Sequence, residues 1–574
     1  MHSSLYLLAY LPFTCLVLLT AAERRAFTAT PPVLLDDSDA TVIGSTDGLT
    51  NKFLGIPYAQ PPVGELRFRH PQPIERYAST YTASNFGPFC PQQYVPTLTT
   101  VPPTLDLDLA DKILSTVLNA SAPQSEDCLT LNVWTPPNAN PESGFPVAIW
   151  IHGGGFQDGG SALYDGGVIV ERAVQLSEPM IVVTINYRLS ALGWLTGAEA
   201  RDAGVGNLGY SDQRLALQWI QKHIRSFGGD RAKVVIWGQS AGAMSVAAHM
   251  LTNGGNNEGL FRGAFMQSGS LLPLGDMQGA QVFYDNLVAD AGCEGAFDTL
   301  RCLRYIPFHR LKAAMDKSPG FYAYQSLATS WWARADGKFL PKPTYELAAE
   351  GSISRVPLVI GSCDDEGTIV ALTSLNITTT AQLHTWLSTY FFINASRAEI
   401  DGLLAAYPED PSQGSPFNTG RLDAPTPQFK RIAALVGDMM FEAPRKAFLA
   451  ATSGRQDVWT YTYRRNKDVA VLGSAHIMDL FDMFGPSDMT DHLIHFVSYL
   501  DPNGLAHQTA LDVPHTQDMF AVGGSLLFWP KYHSTSKTKL VYMDGSVPLG
   551  FAEDTERDEQ LHYMDKFLRG NPVR

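Results

Sequence analysis

Residues 234–248 read Val-Val-Ile-Trp-Gly-Gln-Ser-Ala-Gly-Ala-Met-Ser-Val-Ala-Ala. A β-branched run, a Gly-x-Ser-x-Gly turn and a helical pattern follow one another, which is the signature of a nucleophile elbow. The turn is so tight that side chains two residues before and after Ser240 would collide, and glycine occupies both positions. The pattern predicts Ser240 as a nucleophile, exposed at the N-terminus of a helix. A chance Gly-x-Ser-x-Gly in a glycine-rich chain is the alternative, and the flanking strand and helix argue against it.

Similar apolar runs recur along the chain and predict an α/β fold. They end in glycine-rich or polar turns and lie at 147–151, 181–185, 234–237, 358–360 and 458–463. Continuous apolar runs are typical of strands buried on both faces, in a parallel sheet covered by helices. Helical patterns lie between them, for example at 212–226. We find no internal repeat and no long linker, so residues 23–574 are expected to form a single domain with its functional residues at the carboxyl ends of the strands.

The composition excludes several classes of protein. Hydrophobic residues make up 45% and charged residues only 17%, so a disordered chain or a coiled coil is not expected. The formal net charge is −15 and there is no Lys/Arg run, which argues against nucleic acid as a partner. The 49 glycines and 37 prolines show no period, so they indicate tight loops rather than a collagen-like repeat.

The first 22 residues predict a signal peptide. An apolar run at 5–19 is followed by Thr20-Ala21-Ala22, a small-residue cleavage site. At about 15 residues the run is short for a membrane span, which needs ~20. An N-terminal anchor that is not removed is the alternative. No other stretch is long and apolar enough to span a bilayer, so we expect a secreted protein without a transmembrane segment.

Secretion makes the cysteines and the sequons informative. Four cysteines allow three pairings, and the sequential one is preferred because each bond closes a compact loop: Cys90–Cys128 and Cys293–Cys302. Cys363 is then a free thiol, expected to be buried at the end of a strand. Three Asn-x-Ser/Thr sequons predict glycosylation at Asn119, Asn376 and Asn394.

A glycine-rich loop, His152-Gly153-Gly154-Gly155-Phe156, follows the apolar run at 147–151. Three glycines let backbone N–H groups turn toward a ligand, and such a loop can supply oxyanion donors together with the residue after the nucleophile, Ala241. A bare flexible loop is the alternative. Its position after a strand and ahead of the elbow makes the oxyanion interpretation preferable.

A serine hydroxyl needs a general base, and the base needs a carboxylate that orients it. After the run at 358–360, three carboxylates stand side by side: Asp364, Asp365 and Glu366. The residues alone do not choose among them, and two of the three are expected to be solvated or to cap the following helix. His476 follows the run at 458–463 and is the natural base. Four histidines farther along lie in a more polar stretch and are expected to be surface residues: His492, His495, His507 and His515.

These motifs together resemble the type-B carboxylesterase/lipase family of α/β hydrolases, most specifically its fungal lipase and sterol-esterase branch. The resemblance covers nearly the whole mature chain and also rests on Phe-Leu-Gly-Ile-Pro-Tyr-Ala-Gln-Pro-Pro at 53–62, Leu-Arg-Phe at 66–68, Ser-Glu-Asp-Cys-Leu at 125–129, Asn-Tyr-Arg at 186–188, Asn-Leu-Gly at 207–209, Phe-Gly-Gly-Asp at 227–230, Gly-Ser-Pro-Phe-Asn-Thr-Gly at 414–420 and Phe-Lys-Arg at 429–431.

The resemblance implies the α/β-hydrolase fold and a role for each residue of the site. Ser240 would be the nucleophile, Glu366 the acid and His476 the base, with Gly154, Gly155 and Ala241 as oxyanion donors. It also supports both cysteine pairings, and neither a cofactor nor a metal is expected. The residue before the serine is often Glu in the family, whereas here it is Gln239, which removes a negative charge beside the imidazolium.

The first disulfide loop predicts a lid. Apolar residues of the segment 105–118 fill more than half of a helical wheel, whereas one packed face needs only about 100°. The excess suits a helix that covers the site in water and meets lipid when open; an ordinary buried helix is the alternative. Four residues beside the motifs are predicted to line the acyl pocket: Phe156, Met244, Ile369 and Val370.

The sequence therefore predicts a secreted serine hydrolase of carboxylic esters, similar to lipases and sterol esterases. Its partner would be a hydrophobic ester, met at a lipid–water interface and cleaved through an acyl-enzyme. A feruloyl or other aryl or short-chain esterase is an alternative, and a peptidase a weaker one. A non-catalytic adhesion or binding protein on the same fold is a further alternative, against which the intact set Ser240, Glu366 and His476 argues.

Overall fold

A large sheet, parallel at its centre, carries the loops that hold the predicted site residues. The computed structural model describes residues 28–30, 32–35, 40–94, 123–504 and 527–574. Within these residues the strands are β1 Thr28–Ala29, β2 Val33–Leu34, β3 Thr41–Ile43, β4 Ser45–Thr46, β5 Asn51–Pro57, β6 Thr80–Thr82, β7 Thr130–Thr135, β8 Phe145–Ile151, β9 Ile181–Ile185, β10 Gly229–Gln239, β11 Gly263–Gln267, β12 Leu358–Cys363, β13 Val458–Arg464, β14 Thr538–Met543 and β15 Leu549–Glu553.

Twelve of the described strands form one sheet, in the order β1-β4-β5-β7-β9-β8-β10-β11-β12-β13-β14-β15. From β9 to β14 every neighbouring pair is parallel, and the strands at both edges are antiparallel. A small second sheet contains β2, β3 and β6. Every residue of β9, β11 and β12 is buried, so both faces of the centre are covered. The mostly parallel sheet predicted from the apolar runs is confirmed.

Helices pack on this sheet and against one another. The described α-helices are Gly166–Gln175, Ser190–Trp194, Ala198–Asp202, Leu208–His223, Ala241–Leu251, Gln281–Asp290, Thr299–Tyr305, Phe308–Met315, Thr344–Ala349, Thr368–Ala371, Thr380–Trp386, Arg397–Ala406, Phe429–Gly437, Ala443–Thr452, Asp479–Met483, Asp488–Tyr499 and Asp558–Gly570. Short 3₁₀ turns lie at Gly64–Leu66, Ser161–Leu163, Ile224–Phe227, Thr252–Gly255, Gln278–Ala280, Leu372–Ser374 and Pro411–Gln413, and π-turns at Leu387–Phe391 and Asp438–Glu442.

Some predicted boundaries are wrong, for physical reasons. β10 begins at Gly229 rather than at 234, because the buried Gly229 already pairs with Phe145 of β8; the partly exposed residues 230–233 then form an irregularity before the regular pairing resumes at Val234. The helix predicted at 212–226 begins at Leu208 and ends at His223. Its last apolar residues tighten into the 3₁₀ turn Ile224–Phe227, which Gly228 closes in the left-handed conformation.

Both expected disulfides are present. Cys90 is bonded to Cys128 and Cys293 to Cys302, while Cys363 is a buried free thiol at the end of β12. The sequons at Asn376 and Asn394 are exposed. The predicted signal peptide, the predicted lid helix at 105–118 and Asn119 lie outside the described residues. None of the described helices combines the length and the apolar character that a membrane span requires.

Candidate active site

The turn between β10 and the helix Ala241–Leu251 holds Ser240 in a strained conformation. Its φ is 55° and its ψ −124°, a combination that L residues adopt only when the surroundings enforce it. A Cβ on Gly238 would lie 2.5 Å from the carbonyl carbon of Gly242, and one on Gly242 would lie 1.9 Å from the carbonyl oxygen of Ile151. The collision expected on both sides of the serine is therefore found, and the crowding keeps the turn in place.

A chain of two hydrogen bonds joins Ser240 to His476 and Glu366. The Oγ of Ser240 lies 2.9 Å from Nε2 of His476, and Nδ1 of His476 lies 2.5 Å from Oε2 of Glu366. The second carboxylate oxygen of Glu366 accepts the N–H of Cys363 at 2.7 Å. Glu366 is buried, so this bond fixes which oxygen faces the imidazole. The ring of Phe441 lies against His476, with 4.6 Å between the ring centroids.

Of the three adjacent carboxylates, the structure brings Glu366 to the histidine. The expectation that the other two are solvated or cap a helix is wrong, because Asp364 and Asp365 are only 7% and 0% exposed. Both bind Lys467, at 3.0 and 2.5 Å. Burial raises the pKa of Asp364, but Lys467 and Arg464 outweigh it, so the net shift is downward. Burial and the charge of Asp364 raise the pKa of Asp365.

The residue before Ser240 also contacts His476. The side-chain amide nitrogen of Gln239 lies 3.3 Å from Nε2 of His476. In relatives with Glu at this position, a carboxylate would stand beside the imidazole. Here the neighbour is a neutral amide, so the direct electrostatic support of a protonated imidazole comes from Glu366.

The glycine loop lies directly against the nucleophile. A Cβ on Gly153 would approach the Cβ of Ser240 to 3.0 Å. Gly154 and Gly155 have φ values of 103° and 58°, and Ala241 is the first residue of its helix. Within the described residues, no protein acceptor is found for the N–H groups of Gly154, Gly155 and Ala241. Three unused donors beside a serine–imidazole–carboxylate chain are what acyl transfer requires.

Two buried ionisable groups adjoin this loop: His152, which begins the motif, and Asp158, which sequence reasoning missed. Asp158 is buried and accepts the N–H of Gly159 at 2.6 Å, and burial raises its pKa to about 7. His152 is buried and stacked on Tyr187 at 4.4 Å between ring centroids, and burial lowers its pKa to about 4. No motif singled out Asp158, because its burial depends on distant parts of the chain.

The four predicted pocket residues are all buried, in different settings. Met244 lies one turn after the nucleophile, where its N–H bonds to the carbonyl of Ser240 at 2.9 Å. Ile369 and Val370 lie in the helix Thr368–Ala371, directly after the acid. Phe156 packs edge-on against Trp194, at 4.4 Å between ring centroids, and lies in an aromatic cluster. Contact of these four residues with an acyl chain stays a prediction.

Two of the four downstream histidines are not surface residues. His492 bonds to the hydroxyl of Tyr542 at 2.8 Å and packs against Trp529, and burial lowers its pKa to about 4. His495 binds the carboxylate of Glu178 at 3.0 Å. Both side chains are partly buried, so the expectation is wrong for them. His507 and His515 lie outside the described residues. Among the described residues, no group of three or more potential ligands is arranged to hold a metal.

Comparison with known proteins gives the same family. The model of the carboxylesterase family matches residues 39–506. Secreted lipase 1 of Botryotinia fuckeliana is 39% identical over 561 residues, or 94% of this chain and 93% of the relative. The secreted triacylglycerol lipase of Gibberella zeae is 38% identical over 502 residues, 84% of each chain. The crystal structure of EstA from Aspergillus niger shares the fold, with a TM-score of 0.76 at 24% identity over 95% of this chain and 99% of that one.

The chain belongs to the carboxylesterase family. The α/β-hydrolase fold and the enzyme class predicted from the sequence, a hydrolase of carboxylic esters, are confirmed.

Replacing Glu366 by Gln is expected to lower kcat by about 10³–10⁴, because an amide favours the wrong imidazole tautomer and does not stabilise the imidazolium. The matched control is Asp364→Asn, which removes a neighbouring charge that does not touch His476. It should keep kcat within about tenfold, since Asp364 is paired with Lys467 and Arg464 and makes no hydrogen bond to His476 in the described structure. Hydrolysis of p-nitrophenyl butyrate measures both, and equal losses would contradict the assignment of the acid.

Replacing Asp158 by Asn should stabilise the protein in a pH-dependent way. The folded pKa is about 7, above the ordinary value, so the wild type loses stability as pH rises toward 7 while the Asn variant does not. The difference in Tm between the Asn variant and the wild type should grow from pH 4 to pH 7, reach about 2–4 °C, and stay constant above pH 7. Calorimetry at a series of pH values measures it, with Asp202→Asn on the surface as the control. A gap independent of pH would refute the buried, protonated carboxyl.

Proposed function

We propose that this chain is a secreted lipase that cleaves long-chain acyl esters through an acyl-enzyme on Ser240. One observation carries the mechanism: Ser240 Oγ lies 2.9 Å from the imidazole of His476, which Glu366 holds from the other side. Residues 23–574 would be the catalytic domain, since the proposed nucleophile, base and acid all come from loops of the same sheet.

The first half of the reaction would acylate the serine. Ser240 Oγ attacks the ester carbonyl carbon while its proton passes to Nε2 of His476. The oxygen that becomes negative would accept the N–H groups of Gly154, Gly155 and Ala241. Glu366 stabilises the imidazolium, which then gives its proton to the departing alcohol. The bond between the carbonyl carbon and the alcohol oxygen breaks, and the acyl group stays on Ser240.

The second half would return the enzyme to its starting state. A water molecule takes the place of the alcohol and loses a proton to His476 as its oxygen attacks the acyl carbon. The same three N–H groups hold the oxyanion. His476 then returns the proton to Ser240 Oγ as the carboxylic acid leaves. One base thus serves both steps, so no cofactor is needed.

The substrate and the compartment are supported by independent observations. The relatives named above are a secreted lipase and a secreted triacylglycerol lipase. The side chains of Met244, Ile369 and Val370 are apolar and adjoin the serine and the acid along the chain. Two disulfides and two exposed sequons fit an oxidising, secretory route.

Replacing Ser240 by Ala should lower kcat on p-nitrophenyl esters by at least ~10³, because the nucleophile is lost while the oxyanion donors remain. The variant should still fold and be secreted, since among the described residues the hydroxyl is hydrogen-bonded only to His476. A phosphonate ester should label the wild-type chain at Ser240, which peptide mass spectrometry can locate. Label on another serine, or activity within tenfold of the wild type, would contradict the proposal.

Replacing Leu114 and Leu118 by Ser should reduce activity on emulsified long-chain esters far more than on soluble p-nitrophenyl acetate. Apolar surface contributes ~25 cal/mol per Å², so moving a few hundred Å² from water into lipid is worth several kcal/mol, enough to favour an open lid at an interface. Rates on triolein emulsion and on p-nitrophenyl acetate measure the difference. Equal losses on both substrates would contradict the predicted lid at 105–118 and leave a general carboxylesterase.

A further inference from the structure

The carboxylate beside the acid ties together the two loops that must meet at the imidazole. We call residues 364–367 the acid loop and residues 465–476 the histidine loop. Asp365 lies in the first, next to Glu366, and its side chain is fully buried. The mechanism above assigns Asp365 no role, although it is the immediate neighbour of the proposed acid.

The Asp365 carboxylate accepts four hydrogen bonds from two different segments, 415–417 and the histidine loop. Oδ1 accepts the hydroxyl of Ser415 at 3.0 Å and the N–H of Phe417 at 2.7 Å. Oδ2 accepts the N–H of Ser474 at 2.9 Å and the ammonium of Lys467 at 2.5 Å. All four partners are donors, so only an ionised carboxylate satisfies them all. Two of them, Lys467 and Ser474, belong to the histidine loop.

Backbone bonds run beside these contacts. The N–H of Asp365 bonds to the carbonyl of Ser474 at 3.0 Å, and the hydroxyl of Thr368 bonds to the carbonyl of Leu472 at 2.8 Å. Ser474 precedes His476 by two residues, and Asp365 precedes Glu366 by one. The bond between Glu366 and His476 thus closes a small ring whose opposite side is the bond between Asp365 and Ser474. Fixing one side of this ring limits the other.

The histidine loop touches the carboxylate so closely that only glycine fits at residue 473. A Cβ on Gly473 would lie 2.3 Å from Oδ2 of Asp365, and its φ is 58°. The backbone of the loop at residue 473 is therefore in direct contact with the Asp365 carboxylate. This contact fixes the position of the residues that follow, up to His476.

The charges at this contact are balanced by neighbouring groups. Lys467 binds Asp364 as well as Asp365, and Arg464 lies 3.3 Å from Asp364. The carboxylate of Asp364 makes no hydrogen bond to the stretch 471–476 in the described structure, whereas Asp365 does. The two neighbours therefore share a cation and differ in whether they hold the segment that leads to His476.

We propose that Asp365 is a positioning residue. It holds the histidine loop in the position that lets His476 hydrogen-bond to both Glu366 and Ser240. This rests on the proposed function, since the base it positions is the base of that mechanism. In the described structure the Asp365 carboxylate makes no hydrogen bond to His476 or Ser240, so it acts only through the position of the base. Its loss should therefore affect the rate of the chemical step and leave substrate binding unchanged.

The first test compares Asp365→Asn with Asp364→Asn, which lose the same charge next to the same lysine. Displacing a catalytic group by about 1 Å can cost ~10²-fold, so Asp365→Asn should lower kcat on p-nitrophenyl butyrate by about 10–100-fold with KM within about twofold. Asp364→Asn should lose less than about tenfold, since Asp364 binds Lys467 but makes no hydrogen bond to the stretch 471–476 in the described structure. Equal kcat losses in the two variants, or a loss carried by KM, would overturn the proposal.

The second test approaches the same contact from the other loop and changes no charge. In Gly473→Ala the new methyl collides with the Asp365 carboxylate and lifts the loop, so kcat should fall with KM unchanged. Gly420→Ala is the control, because Gly420 has a φ of 59° with nothing within 4 Å of a Cβ. It carries the same backbone strain without the collision. If both alanine variants lose activity equally, the strain and not the contact is responsible, and the proposal fails. This pair decides the question even if Asp365→Asn does not fold.

Hydrogen exchange without substrate separates this proposal from the proposed function. In the full-length protein, mass spectrometry should find the peptide that spans 470–478 protected, and exchange faster in Asp365→Asn and Gly473→Ala than in their controls. If Ser240→Ala stays active, the proposed mechanism fails. The exchange experiment still tests whether Asp365 holds the histidine loop, because it needs no substrate. Unchanged exchange in both test variants would refute the positioning role.

Discussion

The parallel pairing of β12 with β13 is the constraint on which the site depends. Gly361 pairs with Tyr461 and Cys363 with Tyr463, so the two strands end side by side. Glu366 follows the end of β12 by three residues, and His476 follows β13 across a longer loop. Both strands are buried over almost their whole length, and a slip in register would turn buried side chains to the wrong face. The pairing of these two strands therefore sets the distance between Glu366 and His476.

Beyond the ends of β12 and β13, ion pairs connect the segments around the site. A chain of ion pairs joins the acid loop to the C-terminal segment and runs through Asp364, Arg464, Glu556, Lys539 and Asp554. Ion pairs of this kind do not by themselves show net stability, because removing charges from water costs about as much as their attraction returns. Breaking one partner is what costs most.

The sequence was sufficient where a residue type is forced by local geometry. Ser240 and its two glycines were predictable because the turn admits little else, and His476 because of its place after a strand. The choice of Glu366 over Asp364 and Asp365 could not come from the residues, since all three follow the same strand and only folding shows which one faces the base. The burial of His492 was not predictable for the same reason, since its partner Tyr542 is 50 residues away along the chain.

In the proposed mechanism His476 is the base in both halves of the reaction, and the charges around it fit that role. It must take a proton from serine or water and then give it up, so its surroundings must not hold the charged form too strongly. Glu366 bonds to one nitrogen, while the neutral amide of Gln239 faces the other. Asp479 also lies near, but burial raises its pKa to about 6, and its carboxylate is engaged by Gln267 and Tyr461 at 2.9 and 3.1 Å. A second carboxylate at residue 239 would add attraction on the nitrogen that must accept and release the proton. With an amide there, the stabilisation of the imidazolium comes from the side of the ring that does not react.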